Sequence, residues 1–420
     1  ATLAVDDLDT YTSQYGVHGA IQRLLFIAGC TQQMRLKIEA LKVCLEMLKR
    51  TMNTKGYQEV HNTLKAAVEG TDVAIPSLDT VWMEATQKQS SVLKDLHEQD
   101  LTTAKAQQTK ETIRSCHTQL VNLCTDLGEY SSALKYMSKS REYCSDPPAV
   151  VATYLSIIKL NALIQEYSDI LSFASKAHHT AVKDEDRVKM LTAVQASYGL
   201  AYMTQGKFKE AATAFAQVRH QDLGATFVDI MSPQDVAVYG VLCALASLER
   251  KQVQATMLDS ATFRECLNMV PQIRDLAVDF CNCKYGVCLS ALEKMKEALS
   301  LDVHLHAQVD TLCQQIRNKG MVQYFSPFLS VSLHSMAEAF NTSVDGIQSE
   351  VAALIGAKQL DAKIDSQQKV LYVRHTNLRK ATYENALRVS EDFLDSTQAL
   401  ILRANLLKHD FGVHVLRQKK

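Results

Sequence analysis

The sequence predicts a mostly α-helical protein. A tetratricopeptide-like helical-repeat solenoid comes first, then a small winged-helix module, then one long terminal bundle helix. Three observations carry this. Turn formers are scarce, with 15 Gly and 6 Pro in 420 residues. Sandwiches and barrels need a turn about every 8–12 residues, which this chain cannot supply. Three segments share one pattern of turn, aromatic residue and apolar helix. The strand signal, finally, is confined to one stretch near the C-terminus.

Composition narrows the function classes. Apolar residues make up 47% and charged residues 22%, so a packed core is possible along most of the chain. The net charge is −1, which argues against an electrostatic grip on nucleic acid or on an anionic membrane. The 11 cysteines are odd in number and scattered. That is the pattern of reduced, buried thiols and not of a disulfide framework. The N-terminus, ATLAVDDLDTY, has no basic n-region and no apolar h-region, so no signal peptide is expected. The missing starting Met suggests a piece of something longer. The longest nearly uncharged apolar stretch, residues 236–248, has 13 residues. A membrane span needs about 20. Nucleus and cytoplasm are the expected compartments.

Residues 1–76 read as an N-terminal helical region, and 77–230 as a long helix followed by tetratricopeptide-like repeats. Residues 78–124 lack Pro and Gly and contain Trp82, the single tryptophan. Their apolar residues are too sparse for full burial, so the spacing predicts one long exposed helix or a pair broken near Asp100. The repeats are LGEYSSALKYMSKS (127–140), IQEYSDILSFASKA (164–177) and QGKFKEAATAFAQV (205–218). Their aromatics Tyr130, Tyr167 and Phe208 are spaced 37 and 41 residues apart, and a looser copy begins at Tyr57. Periods of about 34–47 residues belong to paired-helix solenoids, in which each pair buries its apolar face only by stacking on the next. Proline breaks helices, so the long stretches between the six prolines invite long or closely hinged helices.

Residues 231–378 read as one further domain, helical over 231–324 and winged-helix over 325–378. Within the latter, 331–340 is a short helix closed by Asn341, and Thr342 to Asp345 fits a capping box. Val344, Ile347, Val351 and Leu354 share one helical face, and Gly356 can end that helix in the left-handed conformation. Residues 361–365 and 369–374 are two strands joined by a wing loop. The second strand is apolar on both faces, through Val370/Tyr372 and Leu371/Val373. Placed at the end of a small sheet, it is expected to be an exposed edge able to pair with another chain. Residues 379–420 hold the terminal helix, about 379–408. Ala386/Leu387, Phe393/Leu394, Leu400/Ile401 and Leu407 recur every seven residues, the spacing of side-by-side helix packing. That stripe either folds back on its own solenoid or joins helices of other chains.

Catalytic motifs are not found. Gly199 and Gly206-Lys207 resemble a phosphate loop, but six residues intervene instead of four and Phe208 follows the Lys. His304-Leu-His306 lacks its metalloprotease context, with Gln314 where Ser is needed, and reads as a histidine pair on a helix. Cys281 and Cys283, with Cys288, lack zinc spacing and would project apart on a helix, so they read as buried small hydrophobes. No catalytic, metal or cofactor residue is therefore expected. The second helix of the winged module, 343–355, carries Asp345 and Glu350 and no Lys or Arg. That disfavours DNA binding. Arg374, His375, Arg379 and Lys380 form a basic patch that reads as a solvated face.

A helical-repeat array followed by a winged helix and a terminal helix is the plan of PCI-domain proteins. These are scaffold subunits of the proteasome lid, the COP9 signalosome and a translation initiation factor complex. The blocks QIRNKGMVQYFSPFLSVSLHSMAEAFNTSVDGIQSEV (315–351) and KIDSQQKVLYVR (363–374) strongly resemble the signalosome branch of this family. So do YGVLCALASLER (239–250), LDTVWMEATQKQ (78–89) and IQRLLFIAGC (21–30). The proteasome lid branch is the runner-up. The resemblance implies a non-catalytic scaffold in a complex that removes Nedd8 from cullins. Its implied partners are other PCI-domain subunits and a zinc metalloprotease subunit, with cullin-RING ubiquitin ligases as the substrate of the complex. It implies a winged-helix interface at Phe325, Lys369, Val370, Leu371, Tyr372 and Val373. It implies a bundle contact at Leu387, Phe393, Leu394, Leu400, Ile401 and Leu407.

Overall fold

A computed structural model describes residues 8–69, 76–180, 184–223, 227–373 and 378–408. The chain divides into two compact units, Ala1–Ser326 with Glu338–Thr342, and Pro327–Ala337 with Ser343–Lys420.

The first unit opens with α1 (Leu8–Thr12), α2 (Val17–Cys30), α3 (Met34–Leu48) and α4 (Thr54–Val68). Leu24, Leu41, Leu64 and Tyr57 form the centre of their core, and the Trp82 ring packs edge-on against Tyr57. Next come α5 (Thr80–Gln107), α6 (Lys110–Asp126), α7 (Tyr130–Ser140), α8 (Pro147–Ile164), α9 (Tyr167–His178), α10 (Asp184–Thr204) and α11 (Phe208–Phe215). Then follow α12 (Pro233–Ser247), α13 (Arg250–Val253), α14 (Ala261–Met269), α15 (Pro271–Cys281), α16 (Tyr285–Ser300) and α17 (Val309–Phe325). From α5 to α12 each helix packs on the next in sequence, the arrangement of a stacked helical array. The break in the 78–124 stretch falls at Gln108, which is left-handed at φ 56°, and not near Asp100.

One turn geometry recurs between paired helices. At the end of α6, Glu129 N–H donates to Cys124 O at 2.8 Å and Gly128 N–H donates to Thr125 O at 3.0 Å. Gln165/Glu166, Gly206/Lys207 and Cys283/Lys284 repeat this double bond after α8, α10 and α15. Gly128, Gln165, Gly206 and Cys283 are all left-handed, with φ of 75°, 68°, 76° and 61°. This is the Schellman stop, which satisfies the last carbonyls of a helix and turns the chain. Tyr130, Tyr167, Phe208 and Tyr285 each open the next helix two residues later. The fourth copy is therefore the one at Tyr285. Tyr57 instead lies one turn inside α4, behind an Asn53 cap that accepts from Gly56 N–H. The copy at Tyr285 follows Phe208 by 77 residues, about twice the spacing of the other aromatics, so the period does not reveal it.

The prolines mostly start helices. Pro147, Pro233 and Pro271 occupy first-turn positions of α8, α12 and α15, where the missing N–H costs nothing. The helix α8, with 18 residues, is long and apolar enough by composition to cross a membrane, which corrects the 13-residue limit drawn from the sequence. Half of it is buried in the array against α7 and α9, and its Lys159 pairs with Asp229.

The second unit holds β1 (Ser330–Ser332), most of α18 (Leu333–Ala339), α19 (Val344–Gly356), β2 (Ala362–Asp365), β3 (Val370–Val373) and α20 (Leu378–Lys408). The sheet is antiparallel in the order β1-β3-β2, with Val331 opposite Leu371 and Ile364 opposite Leu371. Several expectations are corrected here. A first strand, β1, precedes α18, where the sequence suggested helix alone; three residues are too few to show an alternation. Ser343, not Thr342, caps α19 by accepting from Gly346 N–H. Gly356 remains helical, and Lys358 takes the left-handed position at φ 57°. Asn341, at φ 51°, does close α18.

Candidate interaction surfaces

Pairing on both sides makes β3 the central strand, so 369–373 is not a free edge. The reason is β1, which returns along it: Leu333 N–H donates to Lys369 O at 2.8 Å and Val373 N–H donates to Leu329 O at 2.9 Å. The open edges belong to β1 and β2. Leu371 is fully buried under the sheet, and Phe325 is 3% exposed inside the first unit. Neither can serve as a contact surface, because the core has already used their apolar area. Val370 is half-buried and Tyr372 is exposed, so the outer face of β3 keeps an uncovered apolar surface, while Val373 lies half-buried on the Leu371 face. Lys369 is held by its own module: Nζ donates to Gln348 Oε1 at 2.7 Å and lies 3.3 Å from Asp345 Oδ1, both on α19.

The wing is stiffened by Asp365, whose Oδ1 accepts from Gln367 and Gln368 N–H. Lys369, at the end of this wing, offsets one of the two acids on α19, Asp345. Of the basic patch, Arg374 and His375 lie outside the described residues, as does the Lys380 side chain, and Arg379 is exposed.

On α20 the predicted stripe is uncovered. Leu387, Phe393, Leu394, Leu400, Ile401 and Leu407 range from 46% to 69% exposed. Within the second unit, no described residue folds over them. Leu402 and Leu406 are exposed as well, so the last turns are apolar around most of their circumference. A helix of that kind is stable in water only with neighbours on several sides.

The histidine and cysteine clusters change character. His304 sits in a turn before α17 and His306 opens a short 3-10 helix, so neither is on an α-helix. Cys283 is exposed in a turn and accepts from Arg250 Nη1, Cys281 is half-buried, and only Cys288 is buried. Among the described residues no group of three His, Cys, Asp or Glu is placed to hold a metal ion.

Sequence reading missed a buried polar centre. Arg23 of α2 is 2% exposed. It donates to Asp302 Oδ2 at 2.9 Å, Asp235 Oδ2 at 3.1 Å, Ile230 O at 3.0 Å and Tyr11 OH at 3.3 Å. Burial alone would lower the Arg23 pKa, but Tyr15, Tyr11 and the two carboxylates outweigh it and keep the guanidinium charged. Burial would raise Asp302, yet Arg23, the Tyr239 hydroxyl and the backbone N–H of His304 hold it ionised. Asp235 is raised, chiefly by burial. His304 is pushed down to about 4, by burial first and then by Arg23. It is therefore neutral at pH 7, so Nε2–H donates to Ile230 O at 3.1 Å and Nδ1 accepts from Tyr167 OH at 2.8 Å. No local motif signals this centre: Arg23 and Asp302 are 279 residues apart.

A stacked helical array with a three-stranded winged helix and an unpartnered terminal helix defines a PCI-domain protein, and the PCI domain family matches residues 292–375. The 26S proteasome subunit RPN7 family matches residues 79–256. The chain belongs to the COP9 signalosome subunit 1 family. It is 34% identical to COP9 signalosome complex subunit 1 of Arabidopsis thaliana, over 98% of this chain and 92% of that protein. It is 31% identical to subunit 1b of Drosophila melanogaster, over 97% and 86% respectively. Similarity to 26S proteasome non-ATPase regulatory subunit 6 of Oryza sativa subsp. japonica is 28% and covers 48% of this chain and 51% of that protein.

Proposed function

We propose that the chain is a non-catalytic scaffold subunit of a COP9 signalosome, the complex that removes Nedd8 from cullins of cullin-RING ubiquitin ligases. Its role is to bind other PCI-domain subunits through the winged helix and to send α20 into a helix bundle that includes the metalloprotease subunit. Nucleus and cytoplasm are the proposed compartments. The observation that carries this reading is the uncovered stripe on α20. Burying one Leu or Ile side chain contributes about 1.5–3 kcal/mol, so a stripe of this size favours association strongly. The test is affinity purification of the tagged Leu394→Asp/Ile401→Asp double variant from cells. The expected result is loss of the other signalosome subunits from the eluate. Co-purification at the wild-type level refutes the bundle role. Recovery of proteasome lid components with the wild-type chain moves the assignment to the lid, a reading supported by the RPN7 family match and the partial likeness to 26S proteasome non-ATPase regulatory subunit 6.

A further inference from the structure

Within the first unit, α2 reaches well beyond its neighbours in sequence. Repeat helices touch their neighbours in sequence. This one touches residues from four separate parts of the array. His18 Nε2 lies 3.2 Å from Asp126 Oδ1 at the end of α6. Gln22 Nε2 donates to Leu163 O at 3.2 Å near the end of α8. Arg23 reaches Asp235 in the first turn of α12 and Asp302 just past α16. The Phe26 ring meets His306 edge-on, with centroids 5.3 Å apart.

The helix is two-faced. Ile21, Leu24, Ile27 and Ala28 belong to the core shared with α3 and α4. Positions 16, 19, 22, 23 and 26 follow helical spacing along the other face and point at the array. Glycine lets that face come close. A Cβ on Gly19 would stand 2.0 Å from Asp229 O, and one on Gly16 would stand 1.8 Å from Asp229 Oδ1. Asp229 is in turn paired with Lys159 of α8. The contacts are thus spread along the helix and along the array together.

We infer that α2 is an internal strut that crosses the repeats and fixes their rotation relative to one another. Without it, a stacked array opens pair by pair, because each pair is held only by its neighbours. With it, a disturbance at one seat is felt at the others, and the array from α6 to the start of α17 moves as one body.

The test is hydrogen exchange on the full chain, comparing wild type with Gly19→Ala and with Gln22→Ala. The first pushes the helix off the backbone at Asp229. The second deletes one seat near Leu163. The expected result is faster exchange at seats that neither substitution touches, the last turn of α6 and residues 301–306, by roughly tenfold and in step with α2. Amides of α19, in the other unit, serve as the unchanged reference. Faster exchange confined to α2 and to the contacts of the altered residue overturns the proposal. Should Gly19→Ala fail to fold, the His18→Ala/Gln22→Ala variant removes two seats without adding bulk. Its readout at residues 301–306 then decides the matter alone.

Discussion

Replacing Arg23 with methionine removes the one cation between two buried carboxylates while keeping much of the apolar stem. Four donated hydrogen bonds go with it, to Asp302, Asp235, Ile230 and Tyr11. Removing one partner of a buried ion pair costs about 3–5 kcal/mol, because the remaining charge stays desolvated. Asp302 keeps donors from Tyr239 OH at 2.7 Å, His304 N–H at 2.9 Å and Leu305 N–H at 3.1 Å, which hold its charge in place. Asp235, already raised by burial, can take up a proton and relieve part of the loss. The expected cost is therefore near the lower end, about 3 kcal/mol. Urea unfolding at pH 7, followed by circular dichroism, reads it as a lowered midpoint. The triple variant Arg23→Met/Asp235→Asn/Asp302→Asn carries no uncompensated charge and should recover most of the loss. A single variant within about 1 kcal/mol of wild type would sink the reasoning, since it would mean that the carboxylates do not depend on the guanidinium.

Two further predictions concern the same unit. His304 titrates near 4 when folded and near 6.5 when unfolded, so the unfolded chain takes the proton first. Its contribution is whole above about pH 6.5 and is lost as the pH falls toward 4, by about 3 kcal/mol. Asp235, raised by burial, acts with the opposite sign, so the quantity to measure is the wild-type stability slope minus that of His304→Gln. Equal slopes for the two proteins would refute the assignment. At the Schellman stops, Gly206 has φ 76° and open space around its Cβ position, so Gly206→Ala feels backbone strain alone. It should cost about 1–2 kcal/mol. Gln165→Gly, at φ 68°, should stabilise by about 0.5–1 kcal/mol, after the entropy that glycine adds to the unfolded chain. Thermal midpoints that move in the same direction for both substitutions would contradict this account.

Local periodicity determined much of the protein from sequence alone. The heptad spacing of Leu387, Leu394 and Ile401 needs only one helix to be expressed, so the stripe of α20 was legible without a partner. The aromatic openings at Tyr130, Tyr167 and Phe208 were legible for the same reason, since a Schellman stop uses residues within one turn. The copy at Tyr285 escaped because it lies about two periods beyond Phe208. The interface positions were less legible. Leu371 and Phe325 read as surface because burial depends on what lies across the sheet or helix, and a three-residue strand, β1, decided that β3 is central.

Tertiary structure alone decided the strut and the buried centre. Arg23 looks like any helical arginine until Asp235 and Asp302 arrive from 212 and 279 residues away. An ion is tolerated inside a protein only when partners surround it on several sides. Sequence patterns report a residue's own helix face. They carry no record of which distant carboxylates the folded chain brings to meet it.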